Sequence, residues 1–395
     1  MSSPLKRIKV LDMSRTLAGP FCSMILGDNG ANVIKVEQPV VGDESRRFVP
    51  PTWNEESSYY LSSNRNKRSI TLNLKHEKAK KIIYDLVKQS DVLIENFRTG
   101  TMEKLGFSYE VLRKINPRLI FCSISGFGRT GPMKDNAGYD ILMQGYGGIM
   151  GTTGEEDGRP IKAGPSFVDL TTGMFANIAI LNAILARDKD GEGQFIDVSL
   201  LDGQVALMNH LITGYFATGD IPKRMGTAHP SVVPYQAFKT KDRDVIIAAA
   251  NNKLFFKICE RLEWKDILES SKYQTNALRV ENRNSLIKKM AERIKKYESE
   301  HLIKILTEVG VPVGPIHTID EITKDEQVSH RNMIPRIPHP KIKNLKVPGI
   351  PYKLSKTPPS IRRHPPLLGE HTREVLTELG YSEETIKELR HLNAI

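Results

Sequence analysis

The chain has 395 residues, 39% hydrophobic and 26% charged, with a formal net charge of +11. That is a globular balance, long enough for a sizeable core and two domains. The positive residues are mixed with acids, as in Lys75-His76-Glu77-Lys78-Ala79-Lys80-Lys81, and carry no nucleic-acid recognition motif. No apolar run approaches the roughly 20 residues of a membrane span. No signal segment precedes the first strand-like stretch, so the expectation is a cytoplasmic protein with no membrane and no nucleic-acid partner.

In chain order, residues 8–13 read as a strand, 20–29 as a helix and 33–37 as a second strand. Residues 70–74 read as a third strand. The following helix sets Ala79, Ile82, Ile83, Leu86 and Val87 on one side. Residues 92–97 and 119–124 read as two more strands. Strands separated by helices imply right-handed crossovers and a parallel sheet, with ligands beyond the carboxyl ends of the strands. Residues 195–200 alternate at period two, as a half-buried strand does. Residues 235–238 and 244–249 read as a hairpin, and Lys- and Glu-rich helices follow from 254 to 308. A proline-rich stretch, 331–367, reads as extended chain over a surface, and two short helices close the sequence, around 371–379 and 382–391. The organisation expected is therefore a large domain over 1–224, a smaller α+β domain over 225–325, and a return segment over 326–395.

Cys22, Cys122 and Cys259 lie far apart in apolar surroundings without metal-ligand spacing, and read as buried thiols in a reducing compartment. No metal is expected. The carboxylate to examine is Asp169, in Gly164-Pro165-Ser166-Phe167-Val168-Asp169-Leu170-Thr171-Thr172-Gly173. An apolar stripe Leu170, Met174, Ile178, Leu181, Leu185 puts it in the first turn of a helix. There the dipole and unpaired N–H groups favour an anion. An Asp in that place commonly serves as a cap alone.

Short motifs accumulate in a fixed order: Leu17-Ala18-Gly19-Pro20, Gly27 to Glu37, Asn64 to Ser69, and Glu95-Asn96-Phe97-Arg98. Ser125 to Pro132, Ala137-Gly138-Tyr139-Asp140, the Asp169 segment and Leu368-Gly369-Glu370-His371-Thr372 complete them. Together they resemble the class III CoA transferases, the formyl-CoA-transferase-like family, over nearly the whole chain. The resemblance implies a Rossmann-like large domain with a parallel sheet, a smaller domain, and an interlocked homodimer. It implies acyl-CoA and small carboxylic acids as substrates, CoA thioesters being consumed, with no tightly bound cofactor. It makes Asp169 the nucleophile that carries acyl and CoA groups in turn.

Carried residue by residue, the resemblance places CoA against Leu17, Ala18, Gln38, Leu72, Asn73, Leu74 and Lys75. It adds Asn96, Phe97, Arg98, Lys104, Ala137, Gly138, Tyr139 and Asp140. Gln38 stands where formyl-CoA transferase has an arginine, and Leu17 where it has a glutamine that meets the small acid. The family's glycine-rich lid is replaced by Ile247 to Lys253, where Asn251 and Asn252 offer side-chain hydrogen bonds. The stretch Gly226 to Asp242 is similar to the succinyl-CoA:glutarate transferases of this family and implies dicarboxylates of four to six carbons. A second carboxylate needs a cationic partner, and Arg15, Arg46, Arg47, Arg65 and His229 are the candidates.

Racemases on the same fold remove an α-proton and carry a histidine where this chain has Tyr139. An unperturbed phenol, with a pKa of about 10, is a poor base at neutral pH. Transfer is therefore the expected reaction. Formyl-CoA/oxalate-type exchange is the nearest alternative and racemisation a more remote one.

Overall fold

A computed structural model describes residues 3–395. Its main sheet contains β1 (Lys9–Asp12), β2 (Asn32–Glu37), β3 (Lys67–Thr71), β4 (Val92–Glu95), β5 (Ile120–Ser125) and β6 (Phe195–Ser199). The order is β3-β2-β1-β4-β5-β6 and every neighbouring pair is parallel. Parallel neighbours need crossovers, and helices supply them. These are α1 (Ala18–Asp28), α2 (Glu77–Gln89), α3 (Tyr109–Ile115), α4 (Asp140–Tyr146) and α5 (Phe167–Asp190), and α6 (Leu200–Thr218) follows the last strand.

Side-chain alternation divides the strands between two cores. On one face Leu11, Leu93 and Phe121 pack with Ala79, Ile82, Ile83, Leu86 and Val87 of α2. These are the five residues that helical spacing puts on one side. The terminal helices α10 (Thr372–Glu378) and α11 (Glu383–His391) add Val375, Leu376, Ile386 and Leu389 there. On the other face Val10, Val92, Ile94, Ile120 and Cys122 pack with α1 and α5.

The third strand departs from the sequence expectation. It spans Lys67–Thr71 rather than 70–74, because Lys67 and Arg68 are buried in it at 0% and 5% exposure. Ion pairs to Asp12 and to Glu374 and Glu378 make that burial tolerable, and hydropathy alone does not register it. All three cysteines are buried and unpaired, and burial pushes their thiols up.

The chain divides into two compact units. One holds the main sheet and comprises Met1–Gly148, Ala163–Thr213 and Gln327–Ile395. The other comprises Ile149–Lys162 and Gly214–Glu326. It has an antiparallel sheet of β7 (Tyr235–Lys239), β8 (Asp244–Ala248) and β9 (Val313–Pro315). The helices α7 (Asn252–Arg261), α8 (Arg283–Ile294) and α9 (Ser299–Glu308) cover a core that includes Phe255, Met290 and Leu302.

Helix α5 differs from expectation in two ways. It has 24 residues and is long and apolar enough, by length and composition, to cross a bilayer, whereas the sequence reading expected no such segment. Its buried face is Val168, Thr172, Gly173, Ala176, Ile180, Ala183 and Ile184, packed on α1 and the sheet. The apolar stripe Met174, Ile178, Leu181 and Leu185 faces outward and is exposed.

Gly173 sets the approach of α5 to α1. A Cβ there would stand 2.6 Å from the Ala18 carbonyl oxygen, a backbone atom that cannot swing aside. Gly173→Ala is therefore expected to destabilise the protein by about 1–3 kcal/mol through overpacking. Gly214, in α6 with nothing within 4 Å of such a Cβ, serves as the control. Gly214→Ala should be neutral or mildly stabilising. Thermal unfolding of the two variants checks this, and equal stability would contradict the packing.

Candidate active site

Between β1 and β4 the strand order reverses, and open α/β sheets bind ligands in the crevice at that point. The loop after β1 is fixed there by a buried ion cluster. Asp12, 0% exposed, accepts from the Ser14 N–H at 3.0 Å, from the Ser14 hydroxyl, from Ser23 Oγ at 2.5 Å and from Lys67 Nζ at 3.1 Å. Lys35 Nζ lies 2.8 Å from Asp43 and donates to the Ser14 carbonyl at 2.9 Å. Asp43 accepts from the N–H groups of Thr16 and Ser45 at 3.0 and 2.9 Å. Burial pushes the Asp43 carboxyl up, but the Lys35 ammonium and these donors outweigh it and hold the group below its usual range. Lys67 goes the other way. Burial, with Lys35 nearby, outweighs Asp12 and lowers it to about 8.

This cluster holds Thr16 at a φ of +69°, an unfavourable conformation for a β-branched residue. Next to it, Asn96 clamps Arg15 from the end of β4. Asn96 accepts from the Arg15 N–H and donates to its carbonyl, both at 2.8 Å. Helix α1 then starts at Ala18 with Leu17 as its N-cap, and no side chain caps it. Its first N–H groups are left for another acceptor. Through Gly173 this end of α1 adjoins α5, and Asp169 lies one turn earlier on the same face of α5.

The cap of α5 answers whether Asp169 serves only as a helix cap. Asp140 Oδ1 accepts from the N–H groups of Val168 and Asp169, at 2.8 and 3.3 Å. Asp140 Oδ2 accepts from Gln144 at 2.6 Å, and Gln144 accepts from the Ala163 N–H at 2.8 Å. Capping thus belongs to Asp140. Among the described residues no hydrogen-bond donor reaches the Asp169 carboxylate, which is half-buried. Burial, and secondly the Asp140 charge, push it up to about 7.

The other expected residues fall into three groups. Leu17 and Ala18 form the start of α1, and Phe97 lies under the Arg15 guanidinium at 4.7 Å. Leu72, Asn73 and Leu74 follow β3, with the Leu72 N–H bonded to the Glu37 carbonyl and the Asn73 N–H to that of Ala394. Gln38, Lys75, Arg98, Lys104, Ala137 and Tyr139 are exposed near the carboxyl ends of the strands. Gly138 presses on Gly126, where a Cβ would stand 2.6 Å from its Cα, so only bare backbone fits at that crossing.

A second group is turned inward. Arg46 is bidentate to Glu37 at 2.7 Å and also bonds Tyr60 and the Pro366 carbonyl. Arg65 grips Asp28 at 2.9 and 2.7 Å and is 3% exposed. Neither fits the expectation of a cation facing a substrate. Both guanidinium groups are spent on internal carboxylates, which leaves Arg15, partly exposed and 3.9 Å from Glu44, and the exposed Arg47. A third group belongs to the other unit. Asn251 caps α7 by accepting from the Leu254 N–H at 2.9 Å, and Asn252 accepts from Arg279 at 2.9 Å. His229 packs edge-on to Tyr235 at 5.5 Å, and its Nδ1 accepts from the Ser231 N–H.

Tyr59 and Ser166 escaped the sequence reading. Burial foremost, with the charges of Asp169 and Asp140 in support, raises the Tyr59 phenol above its usual range, and Ser166 works against that rise. Only the fold joins residues so far apart in sequence. Among the described residues no three His, Cys, Asp or Glu side chains gather in a group that could hold a metal.

Residues 5–372 match the model of CoA-transferase family III. The Homo sapiens succinyl-CoA:glutarate CoA-transferase is 43% identical over 387 residues, covering 98% of this chain and 88% of that protein. The Agrobacterium fabrum succinate–glutarate CoA-transferase is 39% identical over 390 residues, covering 97% of each. A crystal structure of a CAIB/BAIF family protein from Brucella suis superposes with a TM-score of 0.86 at 39% identity, over 96% of this chain and 100% of that one. A match of this extent, on a sheet and crevice of this form, places the chain in CoA-transferase family III, as an enzyme that transfers CoA.

Proposed function

We propose that this enzyme moves CoA from succinyl-CoA or a similar donor to a dicarboxylate such as glutarate, through covalent intermediates on Asp169. The observation that carries the reading is the Asp169 carboxylate itself. It is half-buried, relieved of capping by Asp140, and one turn from the point where α5 meets the uncapped start of α1. The names of the human and Agrobacterium relatives support the choice of substrates.

In the scheme, Asp169 attacks the donor's thioester carbonyl, the C–S bond breaks, and CoA leaves as thiolate. The mixed anhydride that remains is attacked by that thiolate at the aspartyl carbonyl, which releases the donor's acid and leaves an aspartyl-CoA thioester. The acceptor carboxylate then reverses both steps. One difficult exchange becomes several easier ones. In this reading the backbone N–H groups of Ala18 and Gly19, at the uncapped start of α1, serve the oxyanions that form at each addition. Exposed Lys75, Arg98 and Lys104 suit the CoA phosphates. The uncovered stripe on α5 suits the face of a second copy, in keeping with the homodimer the family resemblance implies.

Three outcomes are expected. Asp169→Ala abolishes transfer while CoA binding and thermal stability persist, since the helix keeps its Asp140 cap. Hydroxylamine trapping followed by peptide mass spectrometry locates the adduct on Asp169 in the wild type. More than a few per cent residual activity in Asp169→Ala would refute the scheme.

The second outcome is a pH profile. Asp169 attacks only when ionised, and its carboxyl is pushed up to about 7. The profile of kcat/KM should therefore fall as pH drops through about 7. Asp140→Asn removes a like charge that raises Asp169, so its acid limb should move to lower pH. A limb that stays in place or moves upward would count against the assignment.

The third concerns the acceptor. Glutarate or succinate should exceed oxalate or formate by at least ~10-fold in kcat/KM, about 1.4 kcal/mol, within reach of one charge-assisted contact. Equal rates with butyrate and glutarate would rule out a second-carboxylate contact.

A further inference from the structure

A cavity of about 310 Å³ opens at the end of the main sheet opposite the crevice. It meets the sheet at Asn32, the first residue of β2, and at Arg68, the second of β3. The carboxyl ends that border the crevice lie one strand length away, roughly 16 Å at the usual rise per residue. Ligand sites occupy cavities of this volume and upward. Every lining residue belongs to the unit that holds the sheet, and none has a part in the scheme above.

The charges around the cavity are unbalanced. Lys6, Arg68, Arg362 and Arg363 face Glu374 and Glu378, an excess of two positive charges. Arg68, 5% exposed, holds both glutamates on one nitrogen. Its Nη1 donates to Glu374 at 2.8 Å and to Glu378 at 2.6 Å, and its Nε has no acceptor among the described residues. Among the described residues these two are the ion pairs of the cavity, so Lys6, Arg362 and Arg363 have no carboxylate partner.

The two arginines stand on fixed backbone. Their N–H groups donate to Asn66 Oδ1 at 2.6 and 3.0 Å, and Asn66 Nδ2 donates to Asp28 at 2.7 Å and to the Ser360 carbonyl at 2.9 Å. Arg362 Nη2 also donates to the carbonyls of Gly27 and Ala31, at 2.6 and 3.3 Å. Burial, and secondly the Arg363 charge, lower the Arg362 pKa. Like charges held together without an anion are unfavourable, and a bound anion relieves them. A carboxylate brings one negative charge. A phosphomonoester brings close to two at pH 7, with three acceptor oxygens that suit guanidinium donors. Bare phosphate is far smaller than the cavity. Glu374, Glu378 and Asn32 remain as acceptors for hydroxyl groups on the rest of a larger molecule.

We propose that this cavity is a second ligand site, for a small hydroxylated phosphomonoester of the sugar-phosphate class. The phosphate meets Lys6, Arg362 and Arg363, and the hydroxyls meet Glu374 and Glu378. The site is separate from Asp169 and independent of its assignment.

Isothermal titration of the enzyme with ribose 5-phosphate tests this, beside inorganic phosphate, ribose and glutarate. Ribose 5-phosphate should bind most tightly of the four. Arg363→Ala, which keeps the backbone bond to Asn66, and Lys6→Ala should each weaken it by roughly 10-fold, the loss of one charge-assisted contact. Both side chains are exposed, so the unfolding temperature and the KM for succinyl-CoA should stay at wild-type values in both variants. Lys104→Ala, at the crevice, should leave the affinity for ribose 5-phosphate unchanged. Absence of binding at millimolar ribose 5-phosphate would overturn the site, as would equal affinity for inorganic phosphate or glutarate. Binding that is lost in Lys104→Ala and kept in Arg363→Ala, or a raised KM for succinyl-CoA in Arg363→Ala, would assign the ligand to the crevice and overturn it as well.

Discussion

The candidate site depends on the buried ion cluster of Asp12 at the end of β1, Lys35 in β2, Asp43 after it and Lys67 at the start of β3. Asp12, Lys35, Asp43 and Lys67 lie within 0–2% exposure, and each is bonded to its neighbours or to the backbone of the β1–α1 loop. Taking four charges out of water is costly, and such a cluster is tolerable only when nearly every charge is paired. Removing one partner would strand the others at a cost of about 3–5 kcal/mol. The cluster therefore secures geometry more than net stability. It holds Ser14 to Leu17 in one strained course and so fixes where α1 begins. Gly173 then carries that position across to α5.

A second constraint is a division of labour between two carboxylates. Helix α5 needs an acceptor at its N-terminus, and Asp169 is the obvious sequence-local choice. Asp140 does the work from α4, fixed in turn by Gln144. Two consequences follow from one arrangement. Among the described residues the Asp169 carboxylate is left without a donor, and a like charge nearby helps to raise its proton affinity. In the proposed scheme this gives the nucleophile a proton affinity near neutrality. Asp140 was expected among the CoA contacts, and its side chain is already engaged within the protein.

Much of the fold was legible because the local signals are strong. The α2 periodicity, the strand–helix alternation and the hairpin of β7 and β8 all read directly. What failed did so for a physical reason. β3 begins with Lys67 and Arg68, whose burial depends on acids remote in sequence, so hydropathy placed the strand three residues late. Arg46 and Arg65 looked like substrate ligands because arginine chemistry is the same for an internal carboxylate and a bound one. Tyr59 was invisible because neither its spacing nor its type connects it with Asp169. Asp169 itself was legible as a first-turn acid, but its freedom from capping depends on Asp140, which sequence places in another element.

The stripe on α5 separates what periodicity reveals from what it leaves open. Leu170, Met174, Ile178, Leu181 and Leu185 recur at helical spacing and identify the helix. That same pattern invites the view that the stripe faces the core. In the structure the core side is made instead of small residues, Gly173, Ala176 and Ala183, with Val168, Ile180 and Ile184. Small residues allow the close approach to α1, and larger ones at those positions would push Asp169 away from the α1 N-terminus. The big aliphatic side chains are thereby displaced to the outer face, where the chain alone leaves them uncovered. A helix apolar on both faces is a helix with two partners to satisfy. One is the sheet and α1, which place Asp169. The other face suits the proposed homodimer, in which a second copy covering α5 would bury the helix that carries Asp169 on both sides and hold its first turn still against α1.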